Sequence, residues 1–71
     1  MKLKEAAPGK SYVIDAICTG DGELEAFLFS LGCYSGEEIH LVSNGKHGCV
    51  VGIKDSRYSM DNALSRAIEV F

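Results

Sequence analysis

The residues of this chain with chemistry to offer are three cysteines, two histidines and ten carboxylates. Cys18, Cys33 and Cys49 form no CxxC pair, no Cys/His comb and no disulfide framework. His47 lies two residues before Cys49 across a glycine, and side chains so placed at a strand end do not by themselves make a thiolate–imidazole pair. Cys33, which follows Gly32, reads as a small apolar filler. A catalytic thiol also needs a base and an orienting group, and none is spaced to serve one.

Metal binding and phosphate binding fare differently. His40, His47, Cys33 and Cys49 are possible soft or borderline ligands, and Asp21, Glu23 and Glu25 possible oxygen donors. Their spacings fix no geometry, so the competing readings are a weak surface site and a pair of solvent-facing histidines. Gly20-Asp21-Gly22 lacks the third glycine of a phosphate loop and opens onto an acidic helix, which opposes an anion there.

With 71 residues, 46% of them hydrophobic, the chain predicts one domain over residues 1–71 and an economical core. The formal charge of −3 repels phosphate backbones and anionic lipid, so direct contact with nucleic acid or membrane is not expected. No stretch approaches the roughly 18 apolar residues of a membrane span, and no apolar run of signal-peptide length follows Lys2 and Lys4. Reduced thiols in a cytoplasmic protein are the corresponding expectation. The charge is unevenly spread: Ser11 to Gly45 holds no Lys or Arg but carries Asp15, Asp21, Glu23, Glu25, Glu37 and Glu38. Such a segment is either a solvated acidic face or a patch turned toward a cationic partner.

These residues must be positioned by short elements. Pro8-Gly9 predicts a type II turn, and Ser11 to Cys18 a strand with Tyr12, Ile14, Ala16 and Cys18 on one face. Asp21 is a candidate N-cap for a helix whose Leu24, Phe27, Leu28 and Leu31 form an apolar stripe, ended by Gly32. Phe29 lies off that stripe, so it is either covered by a neighbouring strand or an exposed aromatic contact. Tyr34 to Glu37 reads as a turn with Gly36 at positive φ, then Glu38 to Ser43 as a strand. Ser43 to Gly48 reads as a hairpin loop around Asn44-Gly45. Cys49 to Lys54, Arg57 to Met60 and Ile68 to Phe71 complete the strands, with a reversal at Asp55-Ser56 and a helical turn over Asn62–Arg66 capped by Asp61. About five short strands, one helix and a C-terminal helical turn predict a mostly β, partly open antiparallel barrel, with the first helix covering one opening.

Taken together, Leu3-Lys4-Glu5-Ala6 before Pro8-Gly9, the strand through Ile14 and Ile17, Leu31-Gly32-Cys33-Tyr34-Ser35-Gly36-Glu37-Glu38-Ile39, and Arg57-Tyr58-Ser59-Met60 through Ala67-Ile68-Glu69-Val70 resemble the ferrous iron transport protein A family, FeoA. The resemblance spans essentially the whole chain. It implies an SH3-like barrel and a small cytoplasmic accessory protein, not an enzyme and with no cofactor, that acts with a GTP-binding membrane transporter of ferrous iron. Two departures stand out: Ser35 replaces a usual proline, and Glu23, Glu25, Ala26 and Phe29 occupy a helix that is rich in arginine in many relatives. The partner-binding residues expected on this reading are Phe29 and Tyr34 beside Glu25 and Glu37, an aromatic pair next to acids suited to a basic surface. The alternative is a transition-metal-binding or metal-sensing domain using His40, His47 and nearby thiols. A free strand edge also leaves room for a weak homodimer.

Overall fold

The computed structural model describes all residues, Met1 to Phe71. A short 3-10 turn over Leu3–Glu5 precedes β1 (Lys10–Ile17), α1 (Gly22–Ser30), β2 (Glu38–Gly45), β3 (Gly48–Ile53), β4 (Ser56–Asp61), α2 (Asn62–Ala67) and β5 (Ile68–Val70). All neighbouring strands run antiparallel, in the order β4-β3-β2-β1-β5. The fold is therefore mostly β, a curled five-stranded sheet whose end strands β4 and β5 do not pair with each other.

Two irregularities curl the sheet. β1 pairs with β2 through Lys10–Val13 and with β5 through Ile14–Ile17, and its register slips between Ile14 and Ala16. β2 slips likewise between Leu41 and Ser43, while pairing with β3. An extra residue on one strand bends it and increases the local twist, which turns a flat sheet into a partial barrel. The bulge also corrects one expectation. Past Asp15 the alternation changes, so Ile17 packs on the core and Cys18 is exposed instead of lying on the inner face with Ile14.

The interior is aliphatic: Leu3, Ile14, Leu28, Ile39, Leu41, Val51, Ile53, Ile68 and Val70 are at most 2% exposed, with Cys33, Cys49, Ala6 and Met60 filling between them. The alternation of buried and open residues in β3 is regular, because that strand is paired on both sides and faces the core on one.

The helices divide their work differently from the sequence reading. Asp21 caps α1 by accepting hydrogen bonds from the Glu23 and Leu24 amides, at 3.0 and 3.2 Å. Only Leu28 of the expected stripe is fully buried; Leu24 and Leu31 are marginal and Phe27 is 57% exposed. Apolar residues surround so much of this helix that its pattern does not fix which side turns inward. α1 leans on the rim, and it is α2 and the N-terminal 3-10 turn that pack together at one end of the barrel, with Leu3, Ala6 and Ser65 buried there. Asp61 caps α2 through the Leu64 amide at 2.8 Å, as its position before that turn suggested.

Both hairpin turns fall one or two residues from their expected places. The β2–β3 turn is Lys46-His47, tight rather than long, and Asn44 sits in the strand, where its side-chain amide donates to the carbonyls of Lys4 and Ala6 at 2.6 and 3.1 Å. The second turn is Lys54-Asp55, with Lys54 at φ +54°, a conformation usually left to Gly or Asn.

Candidate functional site

Where α1 ends, the chain must leave the helix and enter β2, and Gly32 makes the turn at φ +93°. The Cys33 amide returns to the Leu28 carbonyl at 2.9 Å, a helix-ending bond that sends Cys33 inward and Tyr34 outward. The result is a stack: the rings of Phe29 and Tyr34 lie with centroids 4.6 Å apart and planes inclined by 30°. Phe29 is 63% exposed, so of its two expected places the open surface is the one it takes, and its neighbour in the stack is a loop residue rather than a covering strand.

The stack continues into a polar cluster. The Tyr34 hydroxyl lies beside the Glu37 carboxylate, and Lys54 Nζ donates to Glu37 Oε1 at 3.1 Å. Contact with the Tyr34 hydroxyl, then with the ammonium, holds the Glu37 carboxyl below its ordinary range. The same carboxylate raises both the Tyr34 phenol and the Lys54 ammonium. The aliphatic stem of Lys54 runs over Gly32: a Cβ at that position would meet Lys54 Cε at 2.6 Å. A lysine in a left-handed turn thus bridges the β3–β4 hairpin tip to the C-terminal end of α1.

Phe29, Tyr34 and Glu37 therefore come together, as the sequence suggested, and Lys54 joins them unannounced. Nothing local marks that lysine, because the partner it reaches lies 17 residues away. Glu25 stands one helical turn before Phe29 on the same face, with its carboxylate engaged by the Thr19 hydroxyl at 2.8 Å. The acidic segment is less acidic in space than in sequence. Asp21 caps a helix, Glu25 and Glu37 are bonded, and Asp15, Glu23 and Glu38 stand exposed outside these bonds.

The residues suggested for metal binding are dispersed. Cys33 and Cys49 are buried, His40 shares a hydrogen bond with the Ser11 hydroxyl at 3.1 Å, and His47 sits at the β2–β3 turn. No three His, Cys, Asp or Glu side chains are gathered in a way that would hold a metal ion. Burial pushes the Cys33 thiol up to about 11, so it stays protonated and unreactive at neutral pH. Two surface depressions complete the picture: a polar one of about 460 Å³ around His40, Gly52 and Arg57, and a more apolar one of about 440 Å³ between α1 and α2 beside Cys18 and Leu64. No helix is long and apolar enough to cross a membrane.

Comparison with solved structures places this arrangement among small SH3-like β domains. The structure of Stenotrophomonas maltophilia FeoA complexed with zinc, described as a prokaryotic SH3 domain protein, superimposes with a TM-score of 0.86 at 21% identity, over 100% of this chain and 89% of that one. An iron uptake regulatory protein, also a FeoA, gives 0.86 at 21% identity over 99% and 93%. Iron(II) transport protein A from Clostridium thermocellum gives 0.84 at 29% identity, over 99% of this chain and 44% of that one. The FeoA domain model matches residues 1–70, and the chain belongs to the FeoA domain family. No curated protein sequence matches it.

Proposed function

We propose that this chain is a non-enzymatic accessory protein of ferrous iron uptake, which binds the cytoplasmic part of a GTP-binding iron transporter and modulates it. Family membership over residues 1–70 supports the pathway. The observation that carries the mode of action is the Phe29–Tyr34 stack, a rigid aromatic surface held open at the rim of the barrel. Burying such a ring supplies much of the energy of a small interface, and the stack has already restricted the side chains that would otherwise be ordered on binding. Because Glu37 is already paired with Lys54, the aromatic face is the anchor, and the partner's basic groups would find Glu25 one helical turn from Phe29.

A titration of the labelled protein with the transporter's soluble domain, followed by NMR, tests this. Phe29→Ala should weaken binding by about 2 kcal/mol, roughly 30-fold, and Glu25→Lys by less. No binding by the native protein would overturn the function; native-like binding by both variants would overturn the site. The metal-sensing alternative has less support, because His40, His47, Cys33 and Cys49 are scattered.

A further inference from the structure

The two ends of the sheet are treated differently. Along β5 the outer edge is covered by the N-terminal residues: Lys2 bridges to Glu69, and Met1 and Val70 exchange backbone hydrogen bonds at 3.2 and 2.7 Å. Along β4 nothing lies outside. Its six residues pair with β3 in unbroken register, and at its last residue the Asp61 carbonyl accepts from the Ser65 hydroxyl at 2.7 Å while the Asp61 carboxylate accepts from the Leu64 amide at 2.8 Å, leaving its second oxygen for a further partner. A bare edge is usually blunted by charged side chains, lysine above all, by proline, by a bulge or by an inward-pointing charge. Ser56–Asp61 has no proline, no bulge and no lysine; its charged residues Arg57 and Asp61 are exposed, and its buried residue is Met60.

We infer that β4 is a self-pairing edge, joining a second copy of this chain in antiparallel register about a two-fold axis through Ser59. That register is set by the sequence Arg57-Tyr58-Ser59-Met60-Asp61, which is complementary to its own reverse. Pairing centred on Ser59 puts Arg57 opposite Asp61 of the second copy, twice by symmetry. It puts Tyr58 opposite Met60 on the inner side and Ser59 opposite itself. Each contact is of a kind that favours neighbouring strands: opposite charges on the wet face, an aromatic and a thioether on the other. Arg57 forms no ion pair within its own chain, so it is free to make this one. Shifting the register by two residues puts Arg57 opposite Ser59 or beyond the strand end and loses both charge pairs, which selects the symmetric alignment.

The pairing joins two curled sheets into one of ten strands, and its Ser56–Arg57 end shares a polar depression with Glu37 and Lys54, next to the polar end of the Tyr34 cluster. A six-residue strand buries less than the standard interface of roughly 1,600 Å², so the dimer is weak, with a dissociation constant on the order of 0.1 mM.

The test uses the full chain with Cys18→Ser as background, to remove the exposed thiol. Ser59→Cys places two sulfurs at facing positions about 4.5–5.5 Å apart at Cα, within disulfide reach, whereas Ser56→Cys faces Asn62 of the other copy. Mild oxidation at about five times the dissociation constant should cross-link Ser59→Cys at least tenfold faster than Ser56→Cys. Sedimentation equilibrium of the native chain should show reversible dimers, weakened roughly tenfold by Arg57→Glu, which sets two acids against each other. Equal cross-linking of the two cysteine variants, or a native chain that stays monomeric at about ten times that constant, would overturn the proposal; in the second case the edge awaits a strand from another protein.

Discussion

Gly48, the first residue of β3, is where the fold tolerates least. A Cβ built there would stand 2.0 Å from the Met60 carbonyl oxygen and 3.1 Å from both Met60 C and Asp61 Cα, and its φ of +152° is one that side-chain-bearing residues rarely adopt. The obstacle is backbone, so no side-chain rotation relieves Gly48→Ala; β4 must withdraw by about 1 Å or more to restore contact distance. Withdrawal disturbs the first two pairs of the hairpin, Gly48 with Asp61 and Cys49 with Met60, and loosens the buried Cys49 and Met60 side chains. Two ladder hydrogen bonds at about 1 kcal/mol each, with about 1 kcal/mol of lost packing, give a destabilisation of about 3 kcal/mol. A chain of this length has a total stability of roughly 4–10 kcal/mol, and the melting temperature should fall by about 12–24 °C. Urea unfolding followed by circular dichroism measures it. Gly36→Ala is the control, because Gly36 also has positive φ, +90°, but open space where its Cβ would go, and should cost only about 1–2 kcal/mol for backbone conformation. If the two variants lose the same stability within about 0.5 kcal/mol, the collision at Gly48 is not what it is taken to be.

Other outcomes follow from the same geometry. At mildly alkaline pH a thiol reagent should label Cys18 alone in the folded protein, because Cys33 and Cys49 are buried and Cys33 is raised to about 11; rapid labelling of all three would contradict the packing. Removing the α1 cap by Asp21→Ala should cost about 1 kcal/mol, read as a melting temperature lower by roughly 4–8 °C; a change within error would show that α1 does not depend on its cap. The Glu37–Lys54 pair has a defined pH window. Glu37 is lowered in the fold, chiefly by Tyr34, so its contribution is present above its ordinary 4.5 and disappears as pH falls through the lower folded value. Lys54 is raised, chiefly by Glu37, so its share is present below its ordinary 10.5 and fades as pH rises through the higher one. The stability difference between native protein and Glu37→Gln should therefore be present at neutral pH, shrink in acid and weaken with salt, since the pair is exposed; an equal difference at about pH 3 would argue against it.

Much of this architecture is legible residue by residue, because its signals are local. Asp21 and Asp61 cap the helices they precede, Gly9, Gly32 and Gly36 take positive φ where a turn was expected, and the alternation in β3 gives its inner face directly. Misreadings arise where a distant contact outweighs a local preference. Asn44-Gly45 looks like a hairpin turn, yet Asn44 is drawn into the strand by carbonyls some 40 residues earlier. Cys18 belongs to an inward-facing set until a bulge, demanded by the pairing of β1 with two partners, turns it out.

The sequence by itself determined the mostly β class, the caps and the barrel-forming strand number, because periodicity and capping are properties of neighbours along the chain. Tertiary structure alone decided that Phe27 and Phe29 face outward, that α2 and not α1 packs on the N-terminal turn, and that Lys54 neutralises Glu37. It also decided which sheet edge is left open. Those outcomes depend on which surfaces meet when a long-range β sheet curls, and an apolar helix with several equivalent faces, or a charge whose partner is 17 residues away, carries no local mark of that choice.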